Sequence, residues 1–414
     1  MTRAPKPEFE FLCCLVRPQP DRRRALELAQ QGLDWASVAR LAAAHGVRPH
    51  LRNALYDCVR ADEFSGLEQT LEIFQRGHIA RNLHIAGELL RVANMFSQLG
   101  IAFATFKGVA LAVSLYGDIS RREFNDIDII VRATDIEAAE SALETCGYRP
   151  ARGDSREWRE AFLGYQGQYM FVSANSVLAI DLHWDFAQRG FPFPLLARDI
   201  WSTLDNAPIA GRAIPTFGSE TMAIYLAGHG AKESWKSLGW VCDFAEFYHQ
   251  RRSDIDWIDL SRRQDRNGRR QLLLGLLLAK ELLGVPVHDE LLKHADRDSR
   301  TQALLELAVQ RISNLLDAKS PRPEMQLTDF EMYETRIDRL RLLWRLVSTR
   351  TTGDYEAMPL PRSLWRLYHL IRSFRLAIKI LAVGLPYRFS QSERTSNRPP
   401  SSRKTWSAER TRSG

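Results

Sequence analysis

Apolar residues recur at helical spacing along most of the chain, and one middle stretch breaks that rhythm. Val38, Leu41, Ala42, His45 and Val47 repeat helically after Leu33-Asp34-Trp35, with Asp34 or Ser37 placed to cap the run. Leu71, Phe74, Ile79, Leu83, Ile85, Leu89, Leu90, Val92 and Phe96 predict a longer helix over 67–99, closed by Gly100. The apolar run 101–106 then reads as a buried strand. Lys107-Gly108 turns it into a helix over 109–116, and a polar loop spans 117–125. Asp126-Ile127-Asp128-Ile129-Ile130-Val131 reads as a second strand. Thr134 is placed to cap a helix through Thr145, which Gly147 stops. Two further strands, 164–172 and 177–184, pair around the turn-forming Ser173-Ala174-Asn175-Ser176.

Beyond a Pro192/Pro194 connection, the chain predicts a short hairpin at Ala210-Gly211 and helices from Ser219 to about Ala318. Ser320-Pro321-Arg322-Pro323 marks a boundary. The pattern as a whole predicts the α+β class, with a small mixed sheet flanked by helices. The expected divisions are a helical region over 1–99, an α/β core over 100–218, a helical domain over 219–319, and a C-terminal helical segment over 320–390. Residues 391–414 are rich in Ser, Arg, Pro and Thr and are expected to be disordered.

Composition narrows the function classes. Hydrophobic residues make up 45% and charged residues 26% of the 414, as in soluble globular proteins. The five cysteines show no metal-ligand spacing and read as reduced thiols, which suits a cytoplasmic setting. The N-terminus reads as lacking a secretory segment, since the apolar run 11–16 is short and Arg17-Pro18 closes it. The net charge of +7 is uneven: from Arg362 to Gly414 twelve basic and two acidic residues give a surplus of ten, leaving about −3 for the rest. A nucleic-acid reader usually spreads its basic residues over the folded domain, so nucleic acid is not the expected partner. Leu364, Leu367, Ile371, Phe374, Ile378 and Leu381 fall on one stripe of a basic amphipathic helix over 360–381. Such a helix suits a membrane surface, but the commoner outcome is an apolar face laid on the core with arginines in water. That outcome is the expectation here.

The candidate chemistry lies in the strands. Strand side chains alternate faces, so Asp126 and Asp128 project together while Ile127, Ile129 and Val131 point into a core. Two like charges held side by side repel unless a cation lies between them. Val177-Leu178-Ala179-Ile180-Asp181-Leu182-His183-Trp184 is a second strand with an acid among apolar residues. If it neighbours the first, Asp181 completes a cluster of three carboxylates. Oxygen ligands of this kind suit Mg²⁺, and a two-ion site suits phosphoryl displacement. Lys107 and Gly108 stand at a helix start, where backbone N–H groups and an ammonium favour phosphate, and Arg122 is a further candidate for a substrate phosphate contact. His183 shares its face with Asp181 and reads as structural. For His229, Lys232 and Asp243, helix packing and capping are the default.

The strand, Lys-Gly, helix, loop and Arg-x-x-x-Asp-Ile-Asp-Ile-Ile-Val succession, with the later Ile-Asp-Leu-His-Trp, resembles the uncharacterised bacterial nucleotidyltransferase family. That family belongs to the DNA polymerase beta-like nucleotidyltransferase superfamily. Leu33-Asp34-Trp35, Ala44-His45-Gly46-Val47, Asn82, His229, Lys232, Trp235 and Asp243 extend the likeness over residues 30–260. The resemblance implies Asp126 and Asp128 as Mg²⁺ ligands, Asp181 as the third carboxylate, and Gly108 as the glycine beside the nucleotide phosphates. It implies NTP as substrate and transfer of a nucleotidyl group to an acceptor hydroxyl or phosphate. The superfamily usually carries Gly-Ser or Gly-Gly at the helix start and a shorter gap to the aspartates; Lys107-Gly108 and a longer loop stand here. A non-catalytic nucleotide- or partner-binding module, as in biosynthetic or toxin–antitoxin-like systems, is the alternative.

Overall fold

In a computed structural model, the described residues are 6–58, 65–151, 163, 166–174, 178–188, 193–264, 268–317, 335–348 and 352–384. Alternation along strand β2 (Asp126–Val131) separates two hydrophobic clusters. Ile127, Ile129 and Val131 belong to one, and Ile130 belongs to the other. Asp126 and Asp128 stand on the Ile130 side, so the strand's acids share a face with the larger of the two cores.

Around β2 the sheet builds outward. β1 (Phe103–Thr105) is shorter than the expected run and lies antiparallel to β2. β5 (Ala179–His183) lies parallel to β2 on its other side, β4 (Gln168–Ser173) pairs antiparallel with β5, and β3 (Tyr148–Pro150) pairs antiparallel with β4. The order is therefore β1-β2-β5-β4-β3, the mixed sheet that the pattern predicts. β3 has no signal in the pattern: it is three residues long and ends in proline, at the sheet edge where a missing N–H is tolerated. β6 (Leu204–Ile209) and β7 (Arg212–Phe217) form the expected hairpin, with positive φ at both Ala210 and Gly211, the conformation of a two-residue hairpin turn.

Helices α1 (Pro7–Val16), α2 (Arg22–Ala29), α3 (Trp35–His45), α4 (Arg48–Cys58) and the long α5 (Ser65–Gln98) precede the sheet. Asp34 caps α3 by accepting from the Ala36 N–H at 3.0 Å. α6 (Gly108–Tyr116) and α7 (Ile136–Thr145) connect strands. Thr134 does not cap α7. It sits inside a one-turn 3₁₀ segment (Ala133–Asp135) that moves the helix start to Ile136, and its hydroxyl donates to Asp135 Oδ1 at 3.0 Å.

After the hairpin come α8 (Ser219–Lys232), α9 (Leu238–Arg251), α10 (Trp257–Arg263), α11 (Gly268–Leu283), α12 (Asp289–Asp296) and α13 (Ser299–Ser313). The Ile130-side cluster runs through these helices and through α1–α4, so both ends of the sequence share one core. The link between α8 and α9 holds Ser234 and Trp235 at positive φ. The wholly buried Trp235 ring there fills the space that side chains on Gly230 and Gly275 would take.

The C-terminal part departs most from expectation. The 320–323 boundary and the 391–414 tail lie outside the described residues. Among the described residues beyond that boundary are the helices α14 (Arg336–Ser348), α15 (Thr352–Ala357) and α16 (Tyr368–Gly384). The stretch 360–381 is not one helix: a 3₁₀ segment (Arg362–Leu367) precedes α16, and the Tyr368 hydroxyl fixes the junction by accepting from Leu360 N and donating to Met358 O, each at 2.8 Å. The stripe also faces the other way. Leu364, Leu367, Phe374 and Ile378 are exposed, while Arg372 and Arg375 turn inward onto the buried Asp354. Helical period reveals that a stripe exists; which side meets the protein is decided by a carboxylate on another helix.

Candidate metal and phosphate site

In parallel pairing, residues opposite one another point to the same side of the sheet. The β2–β5 register sets Asp128 opposite Asp181, Ile130 opposite His183 and Asp126 opposite Ala179. The strands are thus the neighbours that a three-carboxylate cluster requires, and His183 comes with Asp181 on the same face. Ligand atoms of Asp128, Asp181 and His183 lie within 4.8 Å of one another. Lys107, at the β1–α6 junction, reaches the same point: its Nζ donates to Asp128 Oδ1 at 3.0 Å. His183 Nε2 lies 3.0 Å from that oxygen, so the imidazole carries its proton on Nε2 and donates it. Gln168 Nε2 donates to Asp181 Oδ2, also at 3.0 Å.

The three carboxylates have different electrostatic fates. Burial alone would push the Asp128 carboxyl up, but Lys107 and His183 outweigh it and hold the group well below the usual carboxylate range. Asp126 is pushed up to about 6, first by burial and then by the charges of Asp128 and Asp181. Burial and Asp128 also raise Asp181, against the pull of His183 and Lys107. Burial would lower the Lys107 ammonium, yet Asp128 beside it keeps the pKa above its ordinary value. One ammonium therefore neutralises one carboxylate, and two more remain in mutual repulsion.

Gly108 is required twice over. Its φ is +49°, and a Cβ there would lie 3.3 Å from the backbone oxygen of Asp126. A side chain would strain the backbone and press on the strand that carries the acids. The loop between α6 and β2 is held from several sides. Asn82 Nδ2 on α5 donates to Ile119 O at 2.6 Å and Arg122 O at 3.2 Å. Arg48 grips Glu123 through its backbone N–H and its guanidinium. The Arg122 side chain is turned onto Asp243 of α9, with Nε at 3.0 Å and Nη2 at 2.8 Å from Oδ2, and the Tyr116 hydroxyl donates to Asp243 Oδ1 at 3.0 Å.

The sequence candidates thus divide. Asp128, Asp181 and Lys107 meet directly. Asp126 shares their face and their field but is not in the tight ligand set. His183, read as structural, is in that set. Gly108 lies against the Asp126 backbone, and Arg122 is committed to Asp243. Sequence reasoning passed over Gln168, which nothing short of the β4–β5 pairing brings to Asp181, and Tyr225, whose buried hydroxyl lies by Lys107. From α8, His229 stacks on Tyr225 with ring centroids 5.8 Å apart, and burial and then Lys107 lower its pKa well below the ordinary value. Lys232 Nζ donates to Phe186 O at 3.3 Å.

The donor set fits a divalent cation. It offers hard carboxylate oxygens, two of them raised by burial and repulsion, and the buried His183 Nδ1 lone pair has no hydrogen-bond partner among the described residues.

Comparison with known proteins gives a family and a distant structural likeness. The profile of a family described as "Uncharacterised nucleotidyltransferase" matches residues 31–284. Comparison with curated proteins finds no match. Among solved structures, the solution structure of the antibiotic-resistance factor ANT(2'')-Ia is similar at 13% identity and a TM-score of 0.27, covering 57% of this chain and 97% of that one. Among the described residues no helix is long and apolar enough to cross a membrane.

Proposed function

Because the chain belongs to the uncharacterised nucleotidyltransferase family, we propose that it transfers a nucleotidyl group from a nucleoside triphosphate to an acceptor hydroxyl or phosphate, with Mg²⁺ as cofactor. The observation that carries this reading is the register that seats Asp128 opposite Asp181 on a face shared with Asp126. Asp126, Asp128 and Asp181 would hold the metal, as two ions, with His183 orienting Asp128 through its hydrogen bond. Mg²⁺, when bound, supplies charge stabilisation on the phosphoryl oxygens.

The chain's own groups account for the rest. Lys107 offers a charged ammonium beside the acids, and Gly108 opens α6, whose first backbone N–H groups would face a phosphate. Arg122, fixed by Asp243, holds the loop that delivers β2 and is the further candidate to contact the triphosphate. In the transfer an acceptor oxygen attacks the α-phosphorus, the bond to the β-phosphate oxygen breaks, and pyrophosphate leaves. With a hydroxyl acceptor, Asp181, on the strand face shared with Asp126 and Asp128, would take the proton.

The test has two arms. Calorimetry should show Mg²⁺-dependent NTP binding that Asp128→Asn abolishes while circular dichroism stays unchanged; equal binding by the variant sinks the site. Incubation with each α-phosphorus-labelled NTP, Mg²⁺ and host lysate should label an acceptor. Binding without any label transfer assigns the chain to the non-catalytic alternative.

A further inference from the structure

We infer that the C-terminal helices dock the protein onto an anionic lipid surface. The inference does not depend on the nucleotide reading, because it rests on other residues. On α16, Leu370, Phe374 and Ile378 recur every four residues and are 70%, 69% and 50% exposed. On α14, which packs against α16, Ile337, Leu340 and Trp344 are 59%, 63% and 73% exposed. Leu364 and Leu367 add to the exposed set from the preceding 3₁₀ segment. Isolated apolar residues on a surface are ordinary, but repeated stripes on two adjacent helices are not.

The same helices are held in this orientation from within. The carboxylate of Asp354, 1% exposed, receives Arg372 at 3.3 Å and Arg375 at 2.5 Å. Among the described side chains of α14, Asp338 and Leu342 are buried, on the side away from the exposed stripe. Two arginines anchored inward therefore oblige the apolar side of α16 to look outward.

Charge selects the occupant. Residues 335–384 contain ten basic and three acidic residues, and two of the acids, Asp338 and Asp354, are buried. Arg336, Arg341, Arg362 and Arg366 stand exposed among the apolar residues. The residues after 390 are also net basic, so repulsion disfavours them as the cover for this face. Long apolar side chains interleaved with exposed arginines match an anionic bilayer surface, where the apolar stripe enters the headgroup boundary and the cations meet lipid phosphate. No helix needs to cross for this mode of attachment.

Flotation of the full-length chain tests it, with vesicles of phosphatidylcholine alone and of phosphatidylcholine mixed with phosphatidylglycerol. The expected result is partitioning onto the mixed vesicles at least about tenfold above the neutral ones, weakened by salt. The double variant Leu370→Ser with Phe374→Ser should lose it while keeping the wild-type melting curve, because both side chains are exposed. The inference is overturned if the wild type ignores anionic vesicles, or if the double variant floats as the wild type does. It is equally overturned if the variant's only effect is to dissolve a concentration-dependent dimer, which would give the face to a second copy.

Discussion

Asp128 and Asp354 are both buried aspartates, 3% and 1% exposed, and each is met by cationic or N–H donor groups from another element. The difference lies in what surrounds them. The Asp354 carboxylate is met by two guanidiniums, so its charge is answered within the fold and the cluster locks one helix onto another. Asp128 sits beside Asp126 and Asp181, and among the described residues Lys107 is the one ammonium in contact with it, so negative charge is in excess there. Burial of an acid is thus no sign of chemistry by itself. An unbalanced set of acids on a packed strand face is, because only a ligand of opposite charge completes it.

The largest effect should come from removing the balanced acid. Asp354→Ala leaves Arg372 and Arg375 without their carboxylate, and loss of one partner of a buried pair typically costs about 3–5 kcal/mol. Hydrogen exchange should show α14–α16 opening while Mg²⁺ binding stays at the wild-type level. The unbalanced set should respond in the opposite sense. Asp126 has a folded pKa of about 6, above its ordinary 3.8, so the folded state holds that proton more tightly and stability falls as pH rises through this window. Asp126→Asn should therefore stabilise the metal-free protein above about pH 6 by about 1–2 kcal/mol, allowing for partial exposure of the side chain, and leave it unchanged below about pH 3.8. A melting series across pH reads this directly, and the same variant should lose Mg²⁺ affinity.

Gly108→Ala comes next. The positive φ alone costs about 1–2 kcal/mol, and the contact with the Asp126 carbonyl displaces β2, so melting and metal titration should both register it. The smallest expected effect is Lys107→Met. If the ammonium occupies Asp128 in place of a metal, its removal should raise Mg²⁺ affinity by about tenfold, about 1.4 kcal/mol, while weakening NTP binding. Unchanged values for both would show that Lys107 only fills space.

How much of this was legible in the sequence depends on the range of each interaction. β2, the Ala210-Gly211 hairpin and the helices are written in local alternation, period and turn chemistry. Asp126, Asp128 and Asp181 stood out because acids interrupt apolar strands, and the resemblance gave those positions a common purpose. β3 was illegible because three residues ending in proline carry no period. His183 was visible beside Asp181, but its bond to Asp128 depends on a register that joins residues 55 positions apart. Arg122 read as a candidate for a substrate phosphate, and its pairing with Asp243 was not legible because that acid lies on a helix 121 residues later. The outward stripe on α16 was hidden for the same reason, since Asp354 decides it from another helix.

The parallel pairing of β2 with β5 also bears on how the chain reaches its fold. β4 and β5 are close in sequence and can zip as a hairpin, whereas β2 must find β5 across a long intervening segment that includes α7 and β3. Contacts of such separation form late, after loop-closure entropy has been overcome. Because Asp128 and Asp181 come together only through that pairing, metal binding should appear with the last kinetic phase of refolding, and saturating Mg²⁺ should slow unfolding rather than speed folding.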